Sequence, residues 1–121
     1  MADGQAMDPE ALKRYERLKK YVTKKQGRVG QIEAWFQKNA DPKILGASES
    51  GREAIRAQAR THWHELTNLV ANIVSASEFL KAAMRSGAVG AEAGAKDREW
   101  LEGLLKQAER VETLYGVIDP K

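Results

Sequence analysis

His62 and His64 are the residues whose type points most directly to chemistry, because a neutral imidazole can bind a metal or act as a general base. Both lie in a stretch, 55–83, whose apolar residues recur at alternating spacings of four and three, which predicts a long helix. Side chains two positions apart on a helix point about 200° away from each other, so the two rings cannot share a metal. We expect His62 to be a half-buried histidine with its polar atoms satisfied, and His64 to lie at the surface.

Other catalytic or metal-binding patterns are missing from the sequence. The chain has no cysteine, which excludes disulfides and thiolate metal sites. Ser48 and Ser50 are explained by a loop and a helix cap, and the carboxylates are spread along helix faces. Neither a phosphate-binding loop, a dinucleotide fingerprint, an EF-hand nor a zinc spacing occurs. The sequence therefore predicts a protein that is not an enzyme and needs no cofactor.

Basic residues are concentrated in the first predicted helix. Eight bases face a single acid, Glu16, between Lys13 and Arg28. We expect them to surround the helix on most of its non-core positions rather than to form one stripe. One interpretation is a solvated face that complements acids elsewhere in the bundle. The alternative is a polyanion-binding helix, with these candidate residues: Lys13, Arg14, Arg17, Lys20, Lys24 and Arg28.

Three apolar lines with spacings of three and four run through the chain, and no alternating pattern indicates a strand. They predict an all-α fold, an antiparallel three-helix (up-down-up) bundle with coiled-coil-like heptad seams. One domain would span 8–118, between a disordered tail at 1–7 and a short tail at 119–121. The predicted helices are 8–39, 51–85 and 97–115.

The connections give further predictions. Ser50 to Glu53 matches a capping box, so the second helix should begin near Gly51. Gly87 should end that helix. Glycine- and alanine-rich residues 86–96 indicate a flexible linker, although their alanines could instead extend a neighbouring helix.

The predicted helices have unequal lengths, about 45, 50 and 27 Å at 1.5 Å per residue. The short third helix would leave the far end of the first hairpin uncovered. This end could close into a small core of its own, or it could bind a protein partner or a second copy of the chain. The candidate partner-binding residues are Trp35, Phe36, Ile44, Leu45, Ile55 and Trp63.

Two families show a similar organisation. Lys25, Gly27 and Val29 followed by Trp63, Leu66 and Leu69 resemble the helical N-terminal region of some retroelement Gag polyproteins. The three-helix organisation also resembles the N-terminal bundles of syntaxin-type proteins. Neither resemblance assigns a functional residue to this chain.

A helical interaction or assembly module is the function that these patterns favour. The alternatives are a nucleic-acid- or anionic-surface-binding protein, Gag-like or nucleoid-like, and a secretion or assembly chaperone. The net charge of +3 does not by itself imply nucleic acid. The polar start of the sequence and the lack of a long apolar run predict an intracellular protein that does not insert into a membrane.

Overall fold

A computed structural model describes residues 9–120, in which helices pack against one another and no strand occurs. The prediction of an all-helical fold is confirmed, whereas the predicted tail at 1–7 lies outside the described residues. No helix within 9–120 combines the length and the apolar character that crossing a bilayer requires. The helices are α1 (Pro9–Asn39), α2 (Pro42–Leu45), α3 (Glu49–Arg85) and α4 (Ala91–Ile118).

Helix α3 begins earlier than the sequence predicted. Ser48 adopts an extended backbone, and its hydroxyl accepts a hydrogen bond from the amide of Gly51 at 3.0 Å. Ser48 is therefore the N-cap, and Ser50 lies inside the first turn, so the predicted capping box from Ser50 to Glu53 is wrong. The one-turn helix α2, capped by Asp41, brings the chain back towards α3 just before this point.

Helix α3 ends where expected. Its last residue is Arg85, and Gly87 follows with a φ of 82°, a left-handed conformation that glycine adopts without a steric cost. The apolar line that predicted this helix is buried along most of its length, with Ile55 and His62 only half-buried. This line forms the side of α3 that contacts the other helices.

Helix α4 is longer than predicted, since it begins at Ala91 instead of Asp97 and ends at Ile118. Alanine is the strongest helix former, and the buried Gly94 packs directly against Met84 of α3. The flexible linker predicted over 86–96 is thus mostly helix.

The longer α4 reaches the far end of α3, where Arg56 donates a hydrogen bond to the backbone carbonyl of Ile118 at 2.8 Å. Asp119 then accepts a hydrogen bond from Arg60 at 3.3 Å. The expectation that the third long helix is too short to reach this end is therefore wrong.

Two groups of buried side chains form the core. One lies around Phe36, Leu66 and Val111, and the other around Ile73 and Leu101. Each group takes side chains from α1, α3 and α4, so the three long helices share one apolar interior. Burial of this surface is the main stabilising contribution to the fold.

Candidate functional site

Four basic side chains on α1 lie on one face of the helix, and we call them the basic stripe: Lys13, Arg17, Lys20 and Lys24. Their spacings of four, three and four residues place them within an arc of about 60° and over about 16 Å of helix. All four are exposed. Within residues 9–120, none of them forms an ion pair or a hydrogen bond to another side chain.

Two of the other four basic residues between Lys13 and Arg28 pair with acids on α1 and α3. Arg14 binds Glu10 one turn earlier, at 2.9 Å. Arg28 makes two hydrogen bonds to Glu65 of α3, at 2.7 and 2.8 Å. Of the six predicted polyanion-binding residues, Arg14 and Arg28 are thus already paired, while the other four form the stripe.

The remaining two bases are also engaged. Lys19 lies 3.0 Å from the Asp97 carboxylate on α4, and Lys25 sits 6.0 Å from the centre of the Tyr21 ring. The bases as a group surround α1, and four of the five that form no ion pair within residues 9–120 share one face as the basic stripe, while the fifth, Lys25, lies off that face. The tertiary structure decides which bases are paired, because it places Glu65 and Asp97 next to the bases that face α3 and α4, and these acids neutralise them.

A cavity of about 1270 Å³ borders the stripe. Its opposite wall is formed by the connection between α3 and α4 and by the first turns of α4, including Val89 and Ala93. Asp97 also lines it, but this carboxylate already accepts hydrogen bonds from Tyr15 and Lys19. The cavity therefore lies between the basic stripe, with the acid Glu16 beside it, and a largely apolar wall.

Hydrogen bonding keeps Asp97 ionised. Burial alone would raise the pKa of Asp97, but the hydrogen bonds from Tyr15 and Lys19 lower it below its usual range. Burial, and then the bond to Asp97, raise the pKa of the Tyr15 hydroxyl well above its ordinary value. Tyr15 thus stays a neutral hydrogen-bond donor, and its bond to Asp97 connects α1 to the α4 wall of the cavity.

Tyr21 lies directly beside the stripe, four residues after Arg17 and three before Lys24. With 38% of its surface accessible, it is the one Phe, Tyr or Trp side chain among residues 9–120 that is exposed. Residues three and four apart are neighbours on a helix surface. The ring is therefore within reach of anything that binds the stripe.

At the opposite end of α1, aromatic side chains from three helices pack together, and we call them the aromatic cluster: Trp35, Phe36, His62, Trp63 and Tyr115. Trp35 contacts Phe36 edge-on, with ring centres 5.0 Å apart. Trp63 stacks on Tyr115 at 5.3 Å with the rings only 21° from parallel. Tyr115 was not among the predicted residues, and it belongs to the cluster because α4 extends this far.

The predicted partner-binding residues are mostly brought together at this end. Phe36 is fully buried, while Trp35, Leu45, Ile55 and Trp63 are half-buried and pack against the same part of the core. Ile44 is half-buried but is not part of that group. These side chains largely cover one another, as in the small local core that was one of the two alternatives, and binding of a partner here stays a prediction.

His62 is half-buried as expected, but its polar atoms are not all satisfied. It is half-buried against Trp35, with ring centres 4.7 Å apart, but its Nδ1 atom is buried without a hydrogen-bond partner among the described residues. Burial lowers the pKa of His62 below its ordinary value, and the positive charge of Arg28 lowers it further, whereas Glu65 acts in the opposite sense. The histidine is therefore neutral near pH 7 and is not satisfied.

Glu33 is a buried acid that the sequence analysis did not single out. It accepts hydrogen bonds from Gln107 at 2.8 Å and from Arg110 at 2.9 Å, both on α4. The bond from Arg110 lowers the pKa of Glu33 below its usual range. Its position four residues after Val29 on the buried side of α1 was the available signal. Both partners hold the carboxylate in place, so Glu33 links α1 to α4.

The described part of the chain contains no group of three or more His, Asp or Glu side chains placed to hold a metal ion. Comparison with protein-family models, with curated proteins and with solved structures finds no match to this chain. The Gag-like and syntaxin-like resemblances accordingly stay predictions. We infer function from the charges, exposed rings and cavities of the chain itself.

Proposed function

We propose that this protein is a non-enzymatic binding module and that the basic stripe on α1 is its binding surface for polyanions. The observation that carries the proposal is the row of four exposed cations, none with an acidic partner in residues 9–120. Phosphate and sulfate groups attract such a row by direct charge interaction and by the release of condensed counterions.

The row has an electrostatic cost when nothing is bound. Like charges three or four residues apart on a helix destabilise it by about 0.2–0.5 kcal/mol per pair. Lys13 and Arg17, Arg17 and Lys20, and Lys20 and Lys24 are three such pairs. A bound polyanion removes this repulsion, which favours the bound state. Bases with no such function could have been paired, as Arg28 is with Glu65.

We further propose that α1, α3 and α4 form an up-down-up bundle with coiled-coil-like seams, which holds the stripe on a rigid helix. Arg28 and Glu65 pair near the middle of α1 and α3, while Arg14 near the start of α1 lies over Phe79 near the end of α3. This reversed order supports antiparallel neighbours. On the other side, α1 and α4 meet at Lys19 and Asp97 near their beginnings and further on at Glu33 and Arg110, which supports a parallel pair.

A protein partner, or a second copy of the chain, at the aromatic cluster is the second candidate function. The supporting observation is that Trp35, Trp63, Leu45 and Ile55 all keep part of their surface accessible. Large aromatic side chains of this kind often anchor interfaces. A secretion or assembly chaperone would use this same end. The longer α4 weakens this candidate because Tyr115 covers Trp63.

Binding of a heparin-like polymer by the full chain, measured by calorimetric titration at two salt concentrations, tests the first proposal. The double variant Lys20→Glu/Lys24→Glu should lose most of the binding. The matched control is Lys43→Glu/Lys106→Glu, which changes the net charge equally at two exposed bases away from the stripe. Equal losses in both variants would mean that overall charge, and not the stripe, attracts the polymer.

A further inference from the structure

We propose that the basic stripe and Tyr21 together bind an extended single strand of nucleic acid, with its phosphates along the stripe and a base stacked on the tyrosine ring. This inference rests on the proposed polyanion-binding function, and it names the ligand. It also predicts that binding tolerates any base sequence, because every base has a face that can stack.

The narrowness of the stripe favours one strand over two. A helix that reads duplex DNA inserts base-reading side chains into the major groove and contacts phosphates on both of its flanks. Here the four cations occupy the centre of the exposed face, within an arc of about 60°. One flank carries the acid Glu16 and the uncharged Thr23, and its cation Lys19 is already bound to Asp97, so the phosphates of a second strand find no free cation there.

Tyr21 supplies the second element of single-strand recognition. Proteins that bind single strands combine cations that follow the backbone with aromatic rings on which bases stack. Tyr21 is exposed on the other flank, next to Arg17 and Lys24, so a base can reach it while the adjacent phosphates contact these cations. Lys25, close to the same ring, adds a positive charge beside the stacked base.

The cavity beside the stripe gives the remaining parts of the strand a place to lie. Leu12 and Val89 line it, and both are half-buried, so they offer apolar surface to an unstacked base. Asp97 carries no free charge towards the strand, because Lys19 and Tyr15 already bind its carboxylate. The exposed Glu16 also lines the cavity, so its charge favours a base there over a phosphate. The arrangement of cations on one side and apolar surface on the other is typical of a groove for single strands.

Fluorescence anisotropy of a labelled, mixed-sequence DNA strand of twelve nucleotides, titrated with the full chain, tests this inference. With four phosphate contacts, the logarithm of the affinity should fall with the logarithm of salt concentration with a slope of about −3. That slope corresponds to a loss of roughly 50-fold between 50 and 200 mM salt. Lys20→Glu/Lys24→Glu should at least halve the slope, while Lys43→Glu/Lys106→Glu should keep it.

The tyrosine variants separate stacking from charge. Tyr21→Ala should weaken binding by about fivefold or more, because it removes the stacking ring, whereas Tyr21→Phe should bind as the parent does. Neither change alters the charge of the protein. Circular dichroism should confirm that both variants keep the helical fold, as expected for an exposed position.

Four outcomes overturn the inference. Binding of a duplex of the same composition as tightly as the single strand, or an unchanged affinity in Tyr21→Ala, contradicts the single strand while leaving the proposed polyanion binding intact. Displacement of the strand by an acidic peptide at an equal charge concentration shows that phosphate and bases are not recognised. If neither the strand nor a heparin-like polymer binds at 50 mM salt, the proposed function fails as well.

Discussion

Replacing His62 with leucine should stabilise the protein, although the residue lies on the apolar line of α3. The buried Nδ1 atom has no partner among the described residues. An unsatisfied buried polar group costs about 1–3 kcal/mol, and leucine removes it. The variant loses the ring contact with Trp35, which is worth about 0.5–1.5 kcal/mol. The difference predicts a gain of about 1 kcal/mol in the free energy of unfolding at pH 7.5.

The gain should increase as the pH falls. Burial and Arg28 hold the pKa of His62 in the folded protein below its ordinary value of about 6.5. Below pH 6.5 the unfolded chain therefore binds a proton at His62 that the folded protein does not bind, so the parent protein loses stability. The leucine variant lacks this group and escapes that loss.

Urea denaturation followed by circular dichroism at pH 7.5 and pH 5.5 measures both effects. Glu33, Glu65 and Asp97 have lowered pKa values and stay ionised at both pH values. His64→Leu is the matched control, because His64 is exposed two residues further along the same helix. The control should change the free energy of unfolding by less than about 0.5 kcal/mol at either pH. A His62→Leu variant that is less stable than the parent, or whose advantage shrinks at pH 5.5, would show that His62 does not destabilise the folded protein.

Three further predictions concern packing. Gly94→Val should lower the free energy of unfolding by about 1–3 kcal/mol, because even a Cβ there would lie 2.5 Å from the sulfur of Met84. In thermal melts, adding Met84→Ala to this variant should recover part of the lost stability. Leu66→Ala should cost about 2–5 kcal/mol in urea denaturation, since this side chain is fully buried, and an unchanged midpoint would contradict its place in the core. Trp35→Ala should lower Tm while leaving the oligomeric state in analytical ultracentrifugation unchanged; lost self-association at an unaltered Tm would instead support the aromatic cluster as an interface.

The core could be predicted from the sequence because burial repeats with the period of the helix. Phe36, Leu66, Ile73 and Leu80 all lie on predicted apolar lines, and all are buried. The capping residues and the ends of the helices were harder to predict from the sequence. The choice between Ser48 and Ser50 as the N-cap depends on how α2 brings the chain back, which local patterns do not specify.

The start of α4 could not be predicted for a similar reason. Residues 91–96 mix alanine, which favours a helix, with a glycine that disfavours it by about 1 kcal/mol. The contact between Gly94 and Met84 of α3 favours the helix, because glycine lets the two helices pack closely without displacing the methionine side chain. A contact between two helices is not visible in a local pattern.

The candidate site was predictable only in part. The concentration of bases in α1 is evident from the sequence, but the unpaired subset is not. Lys19 and Asp97 are 78 residues apart, and Arg28 and Glu65 are 37 apart, so these pairs form only in the folded chain. Removing the paired bases from the six predicted polyanion-binding residues leaves the basic stripe.

Locating the bound polyanion on the protein tests whether the basic stripe is the binding surface. Titration of the ¹⁵N-labelled full chain with a heparin-like polymer, followed by two-dimensional NMR, reports which amides change. If the stripe binds the polymer, the amides of residues 13–24 shift most and those around Trp35 and Trp63 stay unchanged. Shifts centred on the aromatic cluster, or spread evenly over the surface, would contradict binding at the stripe.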